Sequence, residues 1–502
     1  MATFYDLREY FAQQDFKVIL AGDAEPRVHR YKDGRVSLEV PSGGVGVTLD
    51  AIAKAANATY IARGKDEDEK RVLDTYNKVV IKDPDGSYTL KRLFFTKEEM
   101  DLYYYGFSNQ ALWPLCHVAF ERPDFNKKWY EGYKKVNTQF AQAINQEVKG
   151  KTFIWLHDYQ LSLVPSLLRP SKDTIVSMFW HIPWPTWEVF RIVPFKKELL
   201  ESLLQCQFLG FHRGYHVRNF LDTVRREFPV QVDEETSTIF YKNNKTIIKN
   251  LPLGIDTDVV KALVGKQEKS LLLKTMQKLF VFENVPQKKK SKVDSYFDQY
   301  KVILGVDRLD YTKGLLLRLR ALDVFFETYP NYRENVVYIG ILAPSRETIA
   351  TYKMLKKEVK ALALAINKKY GTKTWQPIYL IYRQFSRQEV ISFYYKADVC
   401  LVTPRDDGMN LVSKEFVVAS YLHQNPGMLV LSRFAGSAID LTESLIINPY
   451  DPDEVADAIK RALEMSREEK IEAMKRMAKR LDEKNVYAWA MEFVQGAQAA
   501  RK

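Results

Sequence analysis

The sequence predicts an α/β protein built on parallel sheets, and three observations carry that reading. Short β-branched runs recur along the 502 residues, each run is continuously apolar rather than alternating, and amphipathic helical segments separate the runs. Continuous apolarity marks a strand buried on both faces, which is the rule for parallel sheets covered by helices.

Taken in order, the first half holds "FKVILA" (16–21), "TFIWL" (152–156), "TIVSMFW" (174–180) and "CQFLGF" (206–211). The second half holds "KVILGV" (301–306), "VVYIGIL" (336–342), "IYLIY" (378–382), "DVCLVT" (398–403), "GMLVLS" (427–432) and "SLIIN" (444–448). Helical segments such as "SRQEVISFYYKA" and "PDEVADAIKRALEMS" lie between them. A break falls at "NLPLGIDTDVVKALVGKQEKS", where the turn "PLGID" ends the last strand of the first half. Residues 265–300 are polar and include the basic run "QKKKSK", read as a solvated loop, before a new strand–turn–helix series starts at Lys301. The chain is too long for one ordinary core. Two Rossmann-like domains are predicted, 1–255 and 256–485, with the terminal helix 486–502 carrying aromatics on one face and packing back on the first domain.

The composition is that of a globular protein, with 46% hydrophobic, 27% charged and 13% aromatic residues and a formal net charge of +12. Such a charge admits nucleic acid, anionic membrane or phosphorylated small molecules as partners. It is spread along the chain without a recognised nucleic-acid module, so small-molecule substrates are expected and no nucleic acid. No apolar run approaches the roughly 18 residues of a membrane span, so no membrane partner is expected either. Cys116, Cys206 and Cys400 lie far apart in apolar runs with no CxxC pair. Buried free thiols in a reducing, cytoplasmic compartment are the expectation, and the N-terminal segment has no cleavable signal pattern. A homo-oligomer is compatible with the sequence.

Ligands of open parallel sheets bind beyond the carboxyl ends of the strands. There, "VDRLDYTKG" (306–314) puts Arg308 and Lys313 on one loop entering a helix. Two cations near a helix N-terminus suit a polyphosphate, the plainer reading being that they pair with Asp307 and Asp310. In "PRDDGMNLVSKE" (404–415), Gly408, Met409 and Asn410 sit at a helix start whose N–H groups are unpaired. Glu415 falls one turn after Leu411 and suits a ribose diol. Asp406 and Asp407 have no further hard oxygen ligands nearby, which argues against a metal. His157 and His181 each follow an apolar strand and are expected to share a cleft. The glycine-rich turn "SGGVGV" (42–47) lacks dinucleotide spacing, and no Walker, HExxH or zinc-type pattern is present.

Together, "YYYGFSNQALWP", "HDYQLSLVPSLLR", "FWHIPWPTWEVFRIVP", "LGFHRGYHVRNFL", "LPLGID", "GVDRLDYTKG", "APSRE", "DDGMNLVSKEFVVAS", "LSRFAGSAIDL" and "INPYDPDEVADAI" resemble, in this order, the trehalose-6-phosphate synthase family of retaining glycosyltransferases. The likeness runs from about residue 100 to 465. It implies a GT-B fold, two Rossmann-like domains with parallel sheets facing a central cleft. It implies an NDP-glucose donor, usually UDP-glucose, with glucose-6-phosphate as acceptor and no cofactor or metal. Carried over by motif, Arg308 and Lys313 would hold the donor diphosphate and offset the charge developing on it. Asp407, Gly408, Met409, Asn410 and His181 would hold the donor sugar. Leu411 and Val412 would offer backbone contacts near the phosphates, Glu415 would bind the ribose, and Gly44 would approach the phosphates. Tyr104, Trp113, Asp158 and Arg346 match acceptor-side positions. Asp406 carries no role. Retention in this family is ascribed to a front-face route in which the leaving phosphate takes the acceptor proton.

Two departures fall on the acceptor side. Where the family's first strand ends in "SNR", whose arginine contacts the acceptor phosphate, this chain has "AGD" (21–23), and where the family has "WFGW" this chain has "YIAR" (60–63). A phosphate dianion needs more than one cation to offset its desolvation. Either Arg27, Arg30 or Arg63 joins Arg346, which is the more economical option, or the acceptor is different: glycerol-3-phosphate, another polyol or cyclitol phosphate, or an unphosphorylated sugar. A nucleotide-sugar epimerase and a non-catalytic member of the family are more distant readings.

Overall fold

The computed structural model describes residues 1–32, 35–40, 45–65, 67–265, 299–423 and 426–501. The basic run "QKKKSK" and Gly44 lie outside them. The chain divides into two compact units, Met1–Gly254 with Lys484–Lys502, and Ile255–Glu483.

In the first unit the strands are β1 (Lys17–Gly22), β2 (Val28–Lys32), β3 (Arg35–Glu39), β4 (Thr59–Arg63), β5 (Lys78–Asp83), β6 (Gly86–Leu93), β7 (Thr152–His157), β8 (Thr174–Trp180), β9 (Phe208–Phe211), β10 (Gln231–Asp233), β11 (Thr238–Tyr241) and β12 (Asn244–Asn250). Ten of them form one sheet in the order β10-β11-β12-β9-β8-β7-β1-β4-β6-β5, and β2 pairs with β3 in a separate hairpin. The seven central strands are parallel. β7 and β8 are buried along their whole length, as their unbroken apolar runs require.

The parallel sheet that the sequence predicts has antiparallel additions at both edges, where β5 pairs with β6 and β10–β12 run antiparallel. Two residues join β5 to β6 and β11 to β12. So short a connection can only reverse the chain, because a parallel return needs a crossover of a dozen residues or more.

The helix Val486–Arg501 packs on the same unit. Trp489 Nε1 donates to the Leu251 carbonyl at 3.1 Å, and the Phe493 ring stacks on Trp155 at 4.3 Å between centroids. Asn485 caps this helix by accepting from the N–H groups of Tyr487 and Ala488, both at 3.0 Å. Gly254 lies against this turn, and a Cβ on it would overlap the Lys484 carbonyl and the Asn485 backbone.

In the second unit β13 (Lys301–Arg308), β14 (Val336–Ala343), β15 (Ile378–Ile381), β16 (Val399–Val402), β17 (Met428–Ser432) and β18 (Leu445–Ile447) form an all-parallel sheet in the order β15-β14-β13-β16-β17-β18. The order places β13 between β14 and β16, so the loops leaving these three strands are neighbours. In the first unit, register brings Gly22 level with Ala62 and His157, and His157 level with Phe179. The ends of β4, β1, β7 and β8 therefore form one continuous carboxyl edge. Cys116, Cys206 and Cys400 are buried free thiols. Among the described residues no helix is long and apolar enough to cross a membrane.

Candidate active site

At the carboxyl edge of the second unit, Arg308 ends β13, Asp310 caps the short turn Tyr311–Lys313, and Gly314 opens the helix Leu315–Thr328. Gly314 has φ +65°, and a Cβ there would overlap the Thr403 carbonyl. Only glycine meets both demands, left-handed backbone and close approach of the loop that follows β16.

Asp310 is fully buried and draws cations inward. Arg346 Nη1 donates to Asp310 Oδ2 at 3.2 Å, the Tyr352 hydroxyl donates to the same oxygen at 3.2 Å, and Arg308 Nη2 stands 3.7 Å away. Burial opposes the charged carboxylate, but Arg346, Arg308 and Lys313 outweigh it and hold its pKa at about 2. Arg346, taken from sequence as an acceptor-side residue, thus stands on the loop after β14 with φ +47° and shares one carboxylate with Arg308.

Lys313 Nζ donates to Asp407 Oδ2 at 2.5 Å. Asp407 is fixed from several sides: Asn410 Nδ2 donates to Oδ2 at 3.1 Å, Met409 N–H donates to Oδ1 at 3.3 Å, and the Asp407 carbonyl accepts from Gly436 at 2.8 Å. Asn410, at φ +75°, caps the helix Leu411–Tyr421 by accepting from Ser413 N–H at 3.0 Å. The N–H groups of Leu411 and Val412 lie in its first turn, where no intrahelical acceptor exists. One turn on, Glu415 Oε1 accepts from Arg387 at 2.8 Å.

The plainer expectation, that the two loop cations pair with Asp307 and Asp310, holds for Arg308 alone. Lys313 pairs with Asp407, and Asp307 is taken by the buried Arg318 at 2.6 Å. Arg318 also donates to Thr403 Oγ1 at 2.9 Å, so this ion pair ties the end of β13 to the loop after β16. Arg318 and Arg387 were not singled out in the sequence, and Asp310 was named there only as a pairing partner.

At the carboxyl edge of the first unit, His157 Nδ1 and His181 Nε2 are 3.1 Å apart. Both rings are buried, and burial lowers both pKa values, to about 3 for His181. The second ring nitrogen of each has no hydrogen-bond partner among the described residues. Asp158, at φ +73°, accepts from His181 N–H at 3.1 Å. Tyr104 lies in a π-helix, Asp101–Leu112, whose wide turn is braced by Asn109 and Gln110 side chains donating to the Tyr104 and Tyr105 carbonyls at 2.7 and 2.9 Å. Such segments are enriched at functional sites. Trp113 is buried directly after it, with its ring tilted against that of His117 at 4.0 Å between centroids.

The three arginines near the altered motifs have different surroundings. Arg27 is bound bidentately by Asp50 at 3.0 and 2.8 Å and also by Asp83 at 2.7 Å. Arg30 lies on the β2–β3 hairpin with its side chain exposed and Glu39 3.8 Å away. Arg63, at the end of β4, is bound bidentately by Asp23 at 3.0 and 2.9 Å, and its guanidinium lies over the Tyr104 ring at 5.0 Å.

Two open α/β sheets with polar groups gathered at their strand ends define a GT-B glycosyltransferase. The chain belongs to glycosyltransferase family 20, whose family model matches residues 16–499. It is 35% identical over 408 residues to the UDP-forming α,α-trehalose-phosphate synthase of Pichia angusta, covering 80% of this chain and 82% of that one. It is 31% identical to the corresponding enzyme of Emericella nidulans over 97% of this chain and 93% of that one. A solved trehalose-6-phosphate protein of E. coli bound with UDP-2-fluoro glucose superposes with a TM-score of 0.80 at 28% identity, covering 96% and 98% of the two chains. The Burkholderia xenovorans α,α-trehalose-phosphate synthase in complex with glucose-6-phosphate superposes with a TM-score of 0.81 at 29% identity, covering 96% and 100%.

Proposed function

We propose that this chain transfers a glucosyl group from an NDP-glucose, UDP-glucose first, to glucose-6-phosphate with retention, giving trehalose-6-phosphate and NDP. The observation that carries the reading is the cation set at the carboxyl edge of the second unit: Arg308, Lys313 and Arg346 gathered around Asp310 and Asp407. The bond from the anomeric carbon to the β-phosphate oxygen breaks while the acceptor oxygen bonds to that carbon on the same face. The acceptor hydroxyl proton passes to the departing phosphate oxygen. Charge grows on the diphosphate, and Arg308 with Lys313 stabilises it where it grows. Lys313 has three N–H donors, so one can stay on Asp407 while others face phosphate oxygens.

Asp407 is the acceptor for donor-sugar hydroxyls, with Gly408, Met409 and Asn410 shaping the turn around them. Leu411 and Val412 present first-turn N–H groups to the phosphates, where the helix dipole also favours anions. Glu415, steadied by Arg387, accepts from the ribose diol. His181 offers a buried ring nitrogen to a sugar hydroxyl, and Tyr104, Trp113, Asp158 and Arg346 serve the acceptor. The first unit is the acceptor side and the second binds the nucleotide sugar. The buried free thiols suit a cytoplasmic location.

The Asp23–Arg63 pair favours one second reading. A guanidinium neutralised by a carboxylate attracts a dianion less, so the same donor with glycerol-3-phosphate, a cyclitol phosphate or an unphosphorylated sugar is the alternative. The test is a matrix of NDP-glucoses against glucose-6-phosphate, glycerol-3-phosphate and free glucose with purified protein, read by product mass. A trehalose-6-phosphate product from UDP-glucose is expected. Preference for free glucose or glycerol-3-phosphate would overturn the acceptor assignment, and donor turnover to an epimeric sugar without transfer would overturn the reaction.

A further inference from the structure

The first unit carries a built polar group that neither the motifs nor the fold assigns. Asp23 follows β1 and Arg63 ends β4, and the two strands are hydrogen-bonded neighbours. Arg63 N–H donates to the Asp23 carbonyl at 3.3 Å, so backbone and side chains lock the same two residues together. Asp23 Oδ1 also accepts from the Tyr103 hydroxyl at 3.1 Å. Both carboxylate oxygens are therefore engaged, and Asp23 is 6% exposed. Arg63 uses Nε and Nη2 on Asp23, whereas its Nη1 meets no acceptor among the described residues. The Arg63 side chain keeps 15% of its surface exposed. A guanidinium bound along one side by a carboxylate and lying over an aromatic face has its plane fixed and one edge left to donate. That edge stands at the carboxyl margin of the parallel strands, where ligands of such sheets bind.

We infer that Arg63, positioned by Asp23 and Tyr104, is a specificity-determining residue that donates from Nη1 to the anionic group of the sugar phosphate acceptor. The inference rests on the acceptor reading above and names the residue of the first unit that acts on it. Arg27 is not that residue, since two carboxylates hold it together with Lys54. The Arg30 side chain is exposed, with Glu39 3.8 Å away. Because Asp23 cancels its charge, Arg63 acts as a fixed donor rather than as a free positive charge. Its contribution is therefore directional and distinguishes a phosphate from a hydroxyl at one position.

The experiment is steady-state kinetics of the full chain with UDP-glucose, varying glucose-6-phosphate and free glucose, for the wild type, Arg63→Gln and Arg63→Lys. Arg63→Gln is expected to raise KM for glucose-6-phosphate about ten-fold or more, the usual size of a lost charge-assisted bond. KM for UDP-glucose should stay within about two-fold of wild type and the rate with free glucose should fall far less than that with glucose-6-phosphate, so the preference for the phosphate narrows. Lysine keeps the charge but cannot form the fork on Asp23, so Arg63→Lys should fold and restore part of the preference. Should Arg63→Gln fail to fold, Arg63→Lys decides, with a several-fold rise in KM for glucose-6-phosphate expected. An unchanged KM for glucose-6-phosphate in a folded variant, or an equal loss with both acceptors, would overturn the inference. A wild type that prefers free glucose would instead overturn the acceptor reading on which it rests.

Discussion

Lys313 Nζ lies 2.5 Å from Asp407 Oδ2, joining two strand-end loops that are 94 residues apart in the chain. The pair is largely shielded, each side chain being 13% exposed. Ion pairs of this kind fix the position of a cation before its substrate arrives, which is what stabilising a developing charge requires. Replacing Lys313 by alanine should lower kcat/KM by about 100-fold or more. Initial rates with UDP-glucose and glucose-6-phosphate give the measurement, and near-normal turnover would remove Lys313 from the donor site.

Arg346 has a structural share in the same cluster. Arg346→Ala removes the nearest cation from buried Asp310, leaving Arg308 at 3.7 Å and the Tyr352 hydroxyl. A weakened charged hydrogen bond in a buried site costs about 1.5–3 kcal/mol. The pH dependence has a definite sign. Asp310 has a pKa lowered from 3.8 to about 2, so its stabilisation is present above 3.8 and is lost as the pH falls toward 2. In Arg346→Ala the Asp310 pKa rises back toward its ordinary value, so less stabilisation remains to be lost and stability should fall less steeply with acid. Urea unfolding midpoints between pH 3 and pH 7 test this, and curves that run parallel to wild type would count against it.

Chelation should leave the reaction intact. Arg308 and Lys313 are placed to do for the diphosphate what a divalent ion does elsewhere. Activity in excess EDTA should match the untreated enzyme. Complete loss with recovery on adding magnesium or manganese would return Asp406 and Asp407 to consideration as metal ligands.

A buried acid in the first unit predicts a fall in stability toward alkaline pH. Arg92 donates from Nε to Glu25 Oε2 at 2.8 Å and stands 3.6 Å from Glu69 Oε2, while Lys65 Nζ lies 3.7 Å from Glu25 Oε1 at the rim. Burial raises the Glu25 pKa from 4.5 to about 7, with Arg92 opposing and Glu69 adding to the shift. The protonated form is favoured by folding, so its stabilisation is complete below 4.5 and is lost as the pH rises through about 7. From 4.5 to about 7, the difference is worth up to about 3 kcal/mol at roughly 1.4 kcal/mol per pH unit. The melting temperature should therefore drop between pH 5 and pH 8 in wild type and much less in Glu25→Gln. An equal slope in both proteins would remove Glu25 as its cause.

The sequence by itself determined the parallel strands and the loops that leave them. The run "KVILGV" became β13, "VVYIGIL" became β14 and "TIVSMFW" became β8, because continuous apolarity depends only on burial on both faces. It also put Arg308, Lys313 and Asn410 beside helix starts, since strand, turn and helix follow within a few residues of one another. Strands toward one end of the first sheet escaped it: β4 is only five residues long, β5 and β6 are polar and pair antiparallel with each other, and no unbroken apolar run marks them. Tertiary structure alone decided the partners. Asp407 meets Lys313 because β16 lies beside β13, Arg346 meets Asp310 because β14 lies on the other side, and Arg63 meets Asp23 because β4 lies beside β1. Strand order is set by the crossovers that bury each helix against the sheet, a property of the whole chain. Local propensity acts over a few turns, whereas Asp23 and Arg63 are 40 residues apart, and only the packed sheet brings their charges together.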